Sequence, residues 1–277
     1  MAAQSSMDLS QHYQGKRVVV TGCHSGIGHA VARLLVAAGA EVHGFDIKPA
    51  GLALASFAML DLRDQHSIEA AAASLGGPVD ALFNCAGVSH ALPAQEVMKV
   101  NFIGTRYLTE LLAPAMPSGS AIVSVASNGG AGWPQNLALL KALTATTSFD
   151  AAAAWYEANC EAARAAYSFS KEALTVWTMQ ASATLITQGI RINCTTPGAV
   201  QTPMLEQIEA MIGAVAIDAV AQPIGRRSSA EDQAWPLLFL NSAAASYVNG
   251  AVLPVDGGFL SARAMDETAS QVPVGRS

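Results

Sequence analysis

The chain has 277 residues, of which 51% are hydrophobic and 13% charged, and a formal net charge of −6. The acidic balance comes without a basic run, which argues against a surface that tracks nucleic-acid phosphates. No apolar run approaches the roughly 20 residues a membrane-spanning helix needs, and the amino-terminal MAAQSSMDLSQHYQGKR lacks the continuous apolar segment of a secretory signal. The expectation is a soluble, cytoplasmic protein without nucleic-acid or membrane partners, in one domain able to bury roughly three quarters of its unfolded surface.

Along the chain, short β-branched runs alternate with Ala- and Leu-rich stretches of helical length. In order they are RVVVTG, a helix over 26–38, EVHGFD, FAML, a helix over 65–75, ALFNCAG and a helix over 97–112; then AIVSVAS, a long helix over 163–187, RINCTTPG, a helix over 230–240 and AVLPVDGG. Such alternation predicts βαβ units. The strands are apolar almost throughout, as in a parallel sheet covered on both faces. The expected fold is therefore α/β, a doubly wound parallel sheet of about seven strands in a single domain over residues 1–277. Two segments stand outside the alternation: a helical insertion over about 133–162 and a loose polar tail over about 261–277. Within the insertion, SFDAAAAWYEANC reads as a helix capped by Asp150 and anchored by Trp155 and Tyr156.

Cys23, Cys85, Cys160 and Cys194 are widely spaced, which fits reduced thiols better than disulfides or zinc ligands. The six histidines all precede residue 91 and form no H-E-x-x-H pattern, so no metal site is expected.

VVVTGCHSGIGHAVARLL places Thr21, Gly22, Gly26 and Gly28 directly after the first strand and at the start of a helix. Glycines there let the backbone approach a dinucleotide pyrophosphate, which the N–H groups and positive helix end stabilise. The plainer alternative is a tight turn with close helix packing. EVHGFD ends in Asp46, where a carboxylate can accept the hydroxyls of an adenosine ribose and would repel a 2′-phosphate. That favours NAD over NADP, with Lys48 and His24 near enough to soften the preference; the same Asp can also serve as a turn or cap residue.

In AYSFSK, Tyr167 and Lys171 lie four residues apart and share a helix face, so they are either a solvated pair or a catalytic one. A tyrosine of pKa about 10 is a poor base near neutrality, and a close ammonium is expected to lower it. Ser127 can hold a substrate oxygen, and Asn101 in KVNFIGT can support the lysine through backbone or water.

Taken together these residues resemble the compact branch of the short-chain dehydrogenase/reductase family. The match runs from about Gly15 to Gly258 and includes TGCHSGIG, Asp61 in MLDL, NCAG where N-N-A-G is usual, PGAVQTP and VDGG. The resemblance implies a Rossmann-type sheet and hydride transfer between a nicotinamide and a carbonyl or alcohol carbon. It implies that Tyr167 is the general acid/base, that Lys171 lowers its pKa and binds the nicotinamide ribose, that Ser127 orients substrate and that Asn101 completes a proton relay. For the cofactor it implies Thr21, Gly22, Ser25, Gly26, Ile27 and Gly28 at the phosphates, Asp46 and Ile47 at the adenosine ribose, and Asp61 and Leu62 at the adenine. It further implies Asn84, Ala86 and Gly87 along the adenosine ribose and Pro197, Gly198, Val200 and Thr202 at the nicotinamide half.

Two departures stand out. The segment from Asn84 to Asn101 is short for the family, and Ser127 and Tyr167 are 40 residues apart, far more than is usual. The long spacer is similar to that of a subgroup containing 3α-hydroxysteroid dehydrogenase/carbonyl reductases and coniferyl-type alcohol dehydrogenases, which implies a bulky hydrophobic alcohol or ketone as substrate. Assembly is expected to be a homodimer or homotetramer, with the inserted helix bordering the subunit contact and the substrate entrance. MLEQIEAMIGAVAIDAVAQPI, residues 204–224, is either an apolar lid or ordinary core helix. The competing functional reading is a non-catalytic NAD(H)-binding regulatory or interaction protein on the same fold.

Overall fold

The computed structural model describes residues 9–89 and 91–266. Its seven strands form one parallel sheet: β1 (Arg17–Thr21), β2 (Glu41–Asp46), β3 (Ser56–Met59), β4 (Ala81–Asn84), β5 (Ala121–Val125), β6 (Arg191–Pro197) and β7 (Val252–Val255). Their order across the sheet is β3-β2-β1-β4-β5-β6-β7. The winding direction therefore reverses between β1 and β4, and loops leaving those strands at their carboxyl ends diverge to open a crevice there.

Alternation within the apolar runs divides the core. Val18 and Val20 of β1, with Phe83, Val123 and Val125, pack with Ala30, Val31 and Leu35 of α1 (Gly26–Ala37) and Leu237 and Leu238 of α10 (Ala230–Asn241), numbered in chain order. Val19, Leu82, Ile122 and Ile192 face the other way, toward α2 (Gln65–Ala73), α4 (Thr105–Leu112) and α7 (Ala166–Leu185). Both faces are covered, which is why the strands show so little polar patterning.

The stretch expected as one helix over 97–112 is three pieces: α3 (Ala94–Met98), a π-helical segment over Lys99–Gly104, and α4. The wider turn has a tertiary cause. Asn101 accepts from Val88 N–H at 2.8 Å and donates to Val88 C=O at 3.0 Å, and Gly104 packs so closely on the Leu62 carbonyl that a Cβ would lie 2.1 Å from it.

The insertion supplies α5 (Leu137–Thr144) and α6 (Phe149–Ala163). Ser148, rather than Asp150, caps α6, its hydroxyl accepting from Ala151 N–H at 3.1 Å. Asp150 falls in the first turn, where its charge favours the positive helix end. Trp155 and Tyr156 are the expected anchors. Phe169 of α7 stacks with Trp155 at 6.5 Å between centroids and with Tyr156 at 6.4 Å. Gln95 of α3 donates to the Ala153 carbonyl at 3.1 Å, so α6 braces both α3 and α7.

Pro203–Ile212 and Ala214–Val220 form α8 and α9, and Phe259–Met265 forms α11 where a loose tail was expected from residue 261. Asp256 organises that last helix by accepting from the N–H groups of Gly258 and Leu260 at 3.0 and 2.9 Å. The rest of that expected tail, 267–277, lies outside the described residues.

Tyr156 is buried and its hydroxyl has no hydrogen-bond partner among the described residues. Removing only the oxygen, by Tyr156→Phe, should leave the urea midpoint unchanged or higher, because a desolvated polar group is lost with nothing to unpair. Tyr156→Ala should instead cost about 3 kcal/mol or more in the same measurement, by opening a cavity behind α7.

Candidate active site

A cleft of 670 Å³ runs along the carboxyl ends of β1, β2, β4, β5 and β6. Its floor begins with the glycine turn. Gly22 and Gly26 have φ of 70° and 58°, which side-chain-bearing residues rarely adopt. A Cβ on Gly28 would lie 2.2 Å from the Gly22 carbonyl oxygen, and one on Gly22 would lie 2.7 Å from Ala86 Cα. Thr21 locks this junction from behind, its hydroxyl accepting from the N–H groups of Cys85 and Ala86 at 3.1 Å each. Ser25 makes no side-chain cap to α1, so the helix start is open where Ser25, Gly26 and Ile27 line the cleft.

Asp46 also lines the cleft. It already does the work of a turn residue, since one oxygen accepts from His24 N–H at 2.9 Å and the other from Lys48 N–H at 3.1 Å. Each oxygen keeps a lone pair for a further donor, and the two bonds fix where the carboxylate points. Ile47 beside it is half exposed.

Asp61 and Leu62 line the same end, together with Arg63, which the sequence reading missed. Arg63 grips both Asp61 oxygens, at 2.7 Å from Nη2 and 2.9 Å from Nε, and reaches Glu96 of α3 at 2.8 Å. The Arg63 guanidinium holds the Asp61 carboxyl below its ordinary range. The signal was present in L-D-L-R, an acid and a base two residues apart in a turn.

At the other end, Ser127, Tyr167 and Lys171 come together from β5 and α7. Ser127 accepts from Gly129 N–H at 3.1 Å, which fixes its rotamer, and is hydrogen-bonded with the Tyr167 phenol. Lys171 donates from Nζ to the Val125 carbonyl at 2.9 Å and lies over the Tyr167 ring, 5.9 Å from its centroid. Burial pushes the Tyr167 phenol up, with the Ser127 hydrogen bond opposing it, so the expected depression by Lys171 is not met in the chain alone. Burial likewise brings Lys171 down from 10.5 to about 8.

Asn101 is buried behind this pair. Its side chain is committed to Val88 and to Ser170 Oγ at 3.2 Å, so what it fixes is the loop carrying Gly87, where a Cβ would meet Asn101 Oδ1 at 3.3 Å and Lys171 Nζ at 3.5 Å. Ala86, Gly87, Pro197, Gly198, Val200 and Thr202 all line the cleft. Thr202 caps α8, accepting from Leu205 N–H at 3.3 Å, and its methyl lies 3.2 Å from where a Gly26 Cβ would be. Thr21 and Asn84 do not line it. Asn84 turns inward and donates to Thr109 Oγ1 at 3.0 Å and Ser124 Oγ at 3.3 Å.

A nicotinamide dinucleotide fits these residues. The glycine turn has no room for side chains, the helix start is uncapped, and a fixed carboxylate stands at the end of the second strand. Beyond the Ser127, Tyr167 and Lys171 cluster the lining turns apolar, with Val88, Leu92, Met204, Leu205 and Ile208.

Comparison with known proteins gives the same picture. The family model described as short chain dehydrogenase matches residues 16–139, and one described as Enoyl-(Acyl carrier protein) reductase matches residues 145–260. A coniferyl-alcohol dehydrogenase from a Pseudomonas species is 38% identical over 89% of this chain and 97% of its own length. A 3-alpha-hydroxysteroid dehydrogenase/carbonyl reductase from Comamonas testosteroni is 34% identical over 87% of this chain and 95% of its own. Among solved structures, the 3-alpha-hydroxysteroid dehydrogenase of another Pseudomonas, complexed with NADH, superposes with a TM-score of 0.77 at 30% identity, covering 91% of this chain and 99% of that one.

The folded chain buries a charge at Lys171 that the unfolded chain keeps in water. Below pH 8 that ammonium costs stability, and the cost falls as pH rises from 8 toward 10.5, because the unfolded state then holds the extra proton. Lys171→Met should therefore raise the urea-measured unfolding free energy at pH 7 by up to about 3 kcal/mol, a gain that shrinks above pH 8. A variant less stable than wild type at every pH would contradict this.

Proposed function

The chain belongs to the short-chain dehydrogenase/reductase family and is an oxidoreductase working with a nicotinamide cofactor; from that premise we propose that it is an NAD-dependent dehydrogenase of a bulky, apolar alcohol. The observation that carries the reading is the convergence of Ser127, Tyr167 and Lys171 between a dinucleotide cradle and an apolar wall. Hydroxysteroids, terpenoids and aryl alcohols share the required chemistry, a secondary or benzylic-type hydroxyl on an apolar body. The activities of the coniferyl-alcohol and 3-alpha-hydroxysteroid relatives support that class.

When bound, the nicotinamide supplies the hydride acceptor for oxidation and the donor for reduction. The chain supplies the proton path. Ser127 holds the substrate oxygen, and Tyr167 as phenolate takes its proton in oxidation and returns it in reduction. Burial disfavours phenolate and ammonium separately, but each charge stabilises the other, so the pair ionises together at less cost than either alone. With its pKa brought to about 8, Lys171 is still about nine-tenths protonated at pH 7 and able to supply that charge. The ammonium would also donate to the nicotinamide ribose when the cofactor is bound, and Asn101 supports that arrangement by holding the Val88 backbone. Asp46 selects NAD, since a 2′-phosphate would meet a carboxylate whose direction two backbone bonds have fixed.

Assembly as a homodimer or homotetramer belongs to this reading. Because α6 lies on α3 and α7, those helix faces are closed to a second copy, which favours the dimer.

NADH formation across hydroxysteroids, monoterpenols and aryl alcohols, with NAD and then NADP, tests the proposal. Tyr167→Phe should lower kcat by about 10²–10⁴-fold while NADH still binds. Asp46→Ser should raise kcat/KM with NADP by about tenfold or more. Protein that binds NADH, turns over nothing in the panel and is indistinguishable from Tyr167→Phe would instead be a non-catalytic NAD(H)-binding protein.

A further inference from the structure

The apolar wall of the cleft is held differently from the rest of the site. Its residues Met204, Leu205 and Ile208 lie on α8, which meets α9 at Gly213 and shares with it a small apolar cluster, Ala199, Leu205, Ile217 and Ala221, separate from the two large cores. A second cavity of 440 Å³, bordered by Ala199, Ala221, Ile224, Gly257 and Ser261, opens beside the carboxyl end of α9. Few apolar contacts hold the wall in place.

One charged side chain bridges both helices. Arg227 donates to both oxygens of Glu209 on α8, at 2.5 Å from Nη1 and 3.2 Å from Nη2, and from Nε to Asp218 on α9 at 2.8 Å. Its root is fixed to the body of the fold. The next residue, Ser228, donates its N–H to the Ala199 carbonyl at 2.9 Å and accepts from Gln201 N–H at 2.8 Å, and Gln233 of α10 donates to the Ser228 hydroxyl at 3.0 Å. Neighbouring Arg226 is engaged elsewhere, with Asp232 at 2.7 Å. An isolated surface ion pair contributes little, but a bidentate arginine shared between two carboxylates and one-fifth exposed is the arrangement in which such pairs hold geometry.

We propose that Arg227 is a positioning residue for substrate: by gripping Glu209 and Asp218 together it holds α8 and α9 forward, so that Met204, Leu205 and Ile208 form the wall against which a bulky alcohol packs. The assignment of that wall to an alcohol rests on the function proposed above; the grip itself does not. Releasing the grip leaves the two helices free to shift away from the cleft. Apparent substrate affinity then falls in proportion to the fraction of molecules with the wall in place.

The test compares wild type, Arg227→Met, Arg227→Lys and the double variant Glu209→Gln/Asp218→Asn, which breaks the same contacts from the other side if Arg227→Met fails to fold. For Arg227→Met, KM for a bulky alcohol should rise about tenfold while kcat stays within about threefold and the NADH dissociation constant within about twofold. Thermolysin should cut within residues 203–220 several-fold faster, and Arg227→Lys should fall between. Raising salt to about 0.5 M should raise KM in wild type and not in Arg227→Met. Unchanged KM in a folded variant, or unchanged cleavage, overturns the proposal, as does a joint loss of kcat and NADH binding. Should wild type oxidise no alcohol, the functional reading fails by itself and the cleavage rates still decide whether Arg227 holds the wall.

Discussion

The hydrogen bond from Lys171 Nζ to the Val125 carbonyl joins the catalytic-side helix to the end of the central strand of the site, and the rest of the site is arranged around it. It draws an ammonium out of water, which is unfavourable, and places that charge where Gly87, Asn101 and Tyr167 converge. On the sheet side, α7 is fixed by this bond and by Ser127 at the phenol. On the far side, Phe169 stacks with Trp155 and Tyr156. Between them, Asn136 donates to Glu172 at 2.7 Å, and Gly130 lies so close to the Lys171 backbone that a Cβ would be 2.9 Å from its carbonyl carbon. The inserted segment is thus a brace for α7, the helix that bears Tyr167 and Lys171.

This division of labour separates the two ends of the cleft. The cofactor end is built from strand ends and glycines packed backbone to backbone, so it has little freedom. The opposite, apolar end is lined in part by α8, which shares a small core with α9 and is bridged to it by Arg227. A rigid cradle beside an adjustable wall suits chemistry in which the reacting atoms are always the same and the apolar body to be accommodated is large.

Residues whose roles are local were legible in the sequence. The glycine turn after β1, the parallel-sheet alternation, Asp46 at a strand end and the shared face of Tyr167 and Lys171 all follow from spacing, and the seven-stranded sheet is the one expected. What escaped depends on partners far along the chain. The π-helical turn at Asn101 reads as ordinary helix because its cause is Val88, and Asn84 looks like a cleft residue until Thr109 and Ser124 turn it inward. Arg63 to Glu96 and Arg227 to Glu209 are pairings that periodicity does not encode. The electrostatics of the pair also needed three dimensions: four-residue spacing placed Lys171 on the face of Tyr167, but burial raises the phenol and lowers the amine. Asp150 was a reasonable cap by composition, and Ser148, two residues earlier, takes the role because its extended backbone aims the hydroxyl at Ala151.

Under the proposed function, hydride passes directly between the carbinol carbon of an apolar alcohol and the nicotinamide while Tyr167 of α7 handles the proton. The most direct measurement is mass spectrometry of the reduced cofactor after a single turnover with an aryl or steroid alcohol deuterated at the carbinol carbon, in ordinary water. One deuterium in each molecule of NADH formed is the predicted result. NADH carrying only solvent hydrogen, or no reduced cofactor from protein shown to bind NAD, would contradict the account.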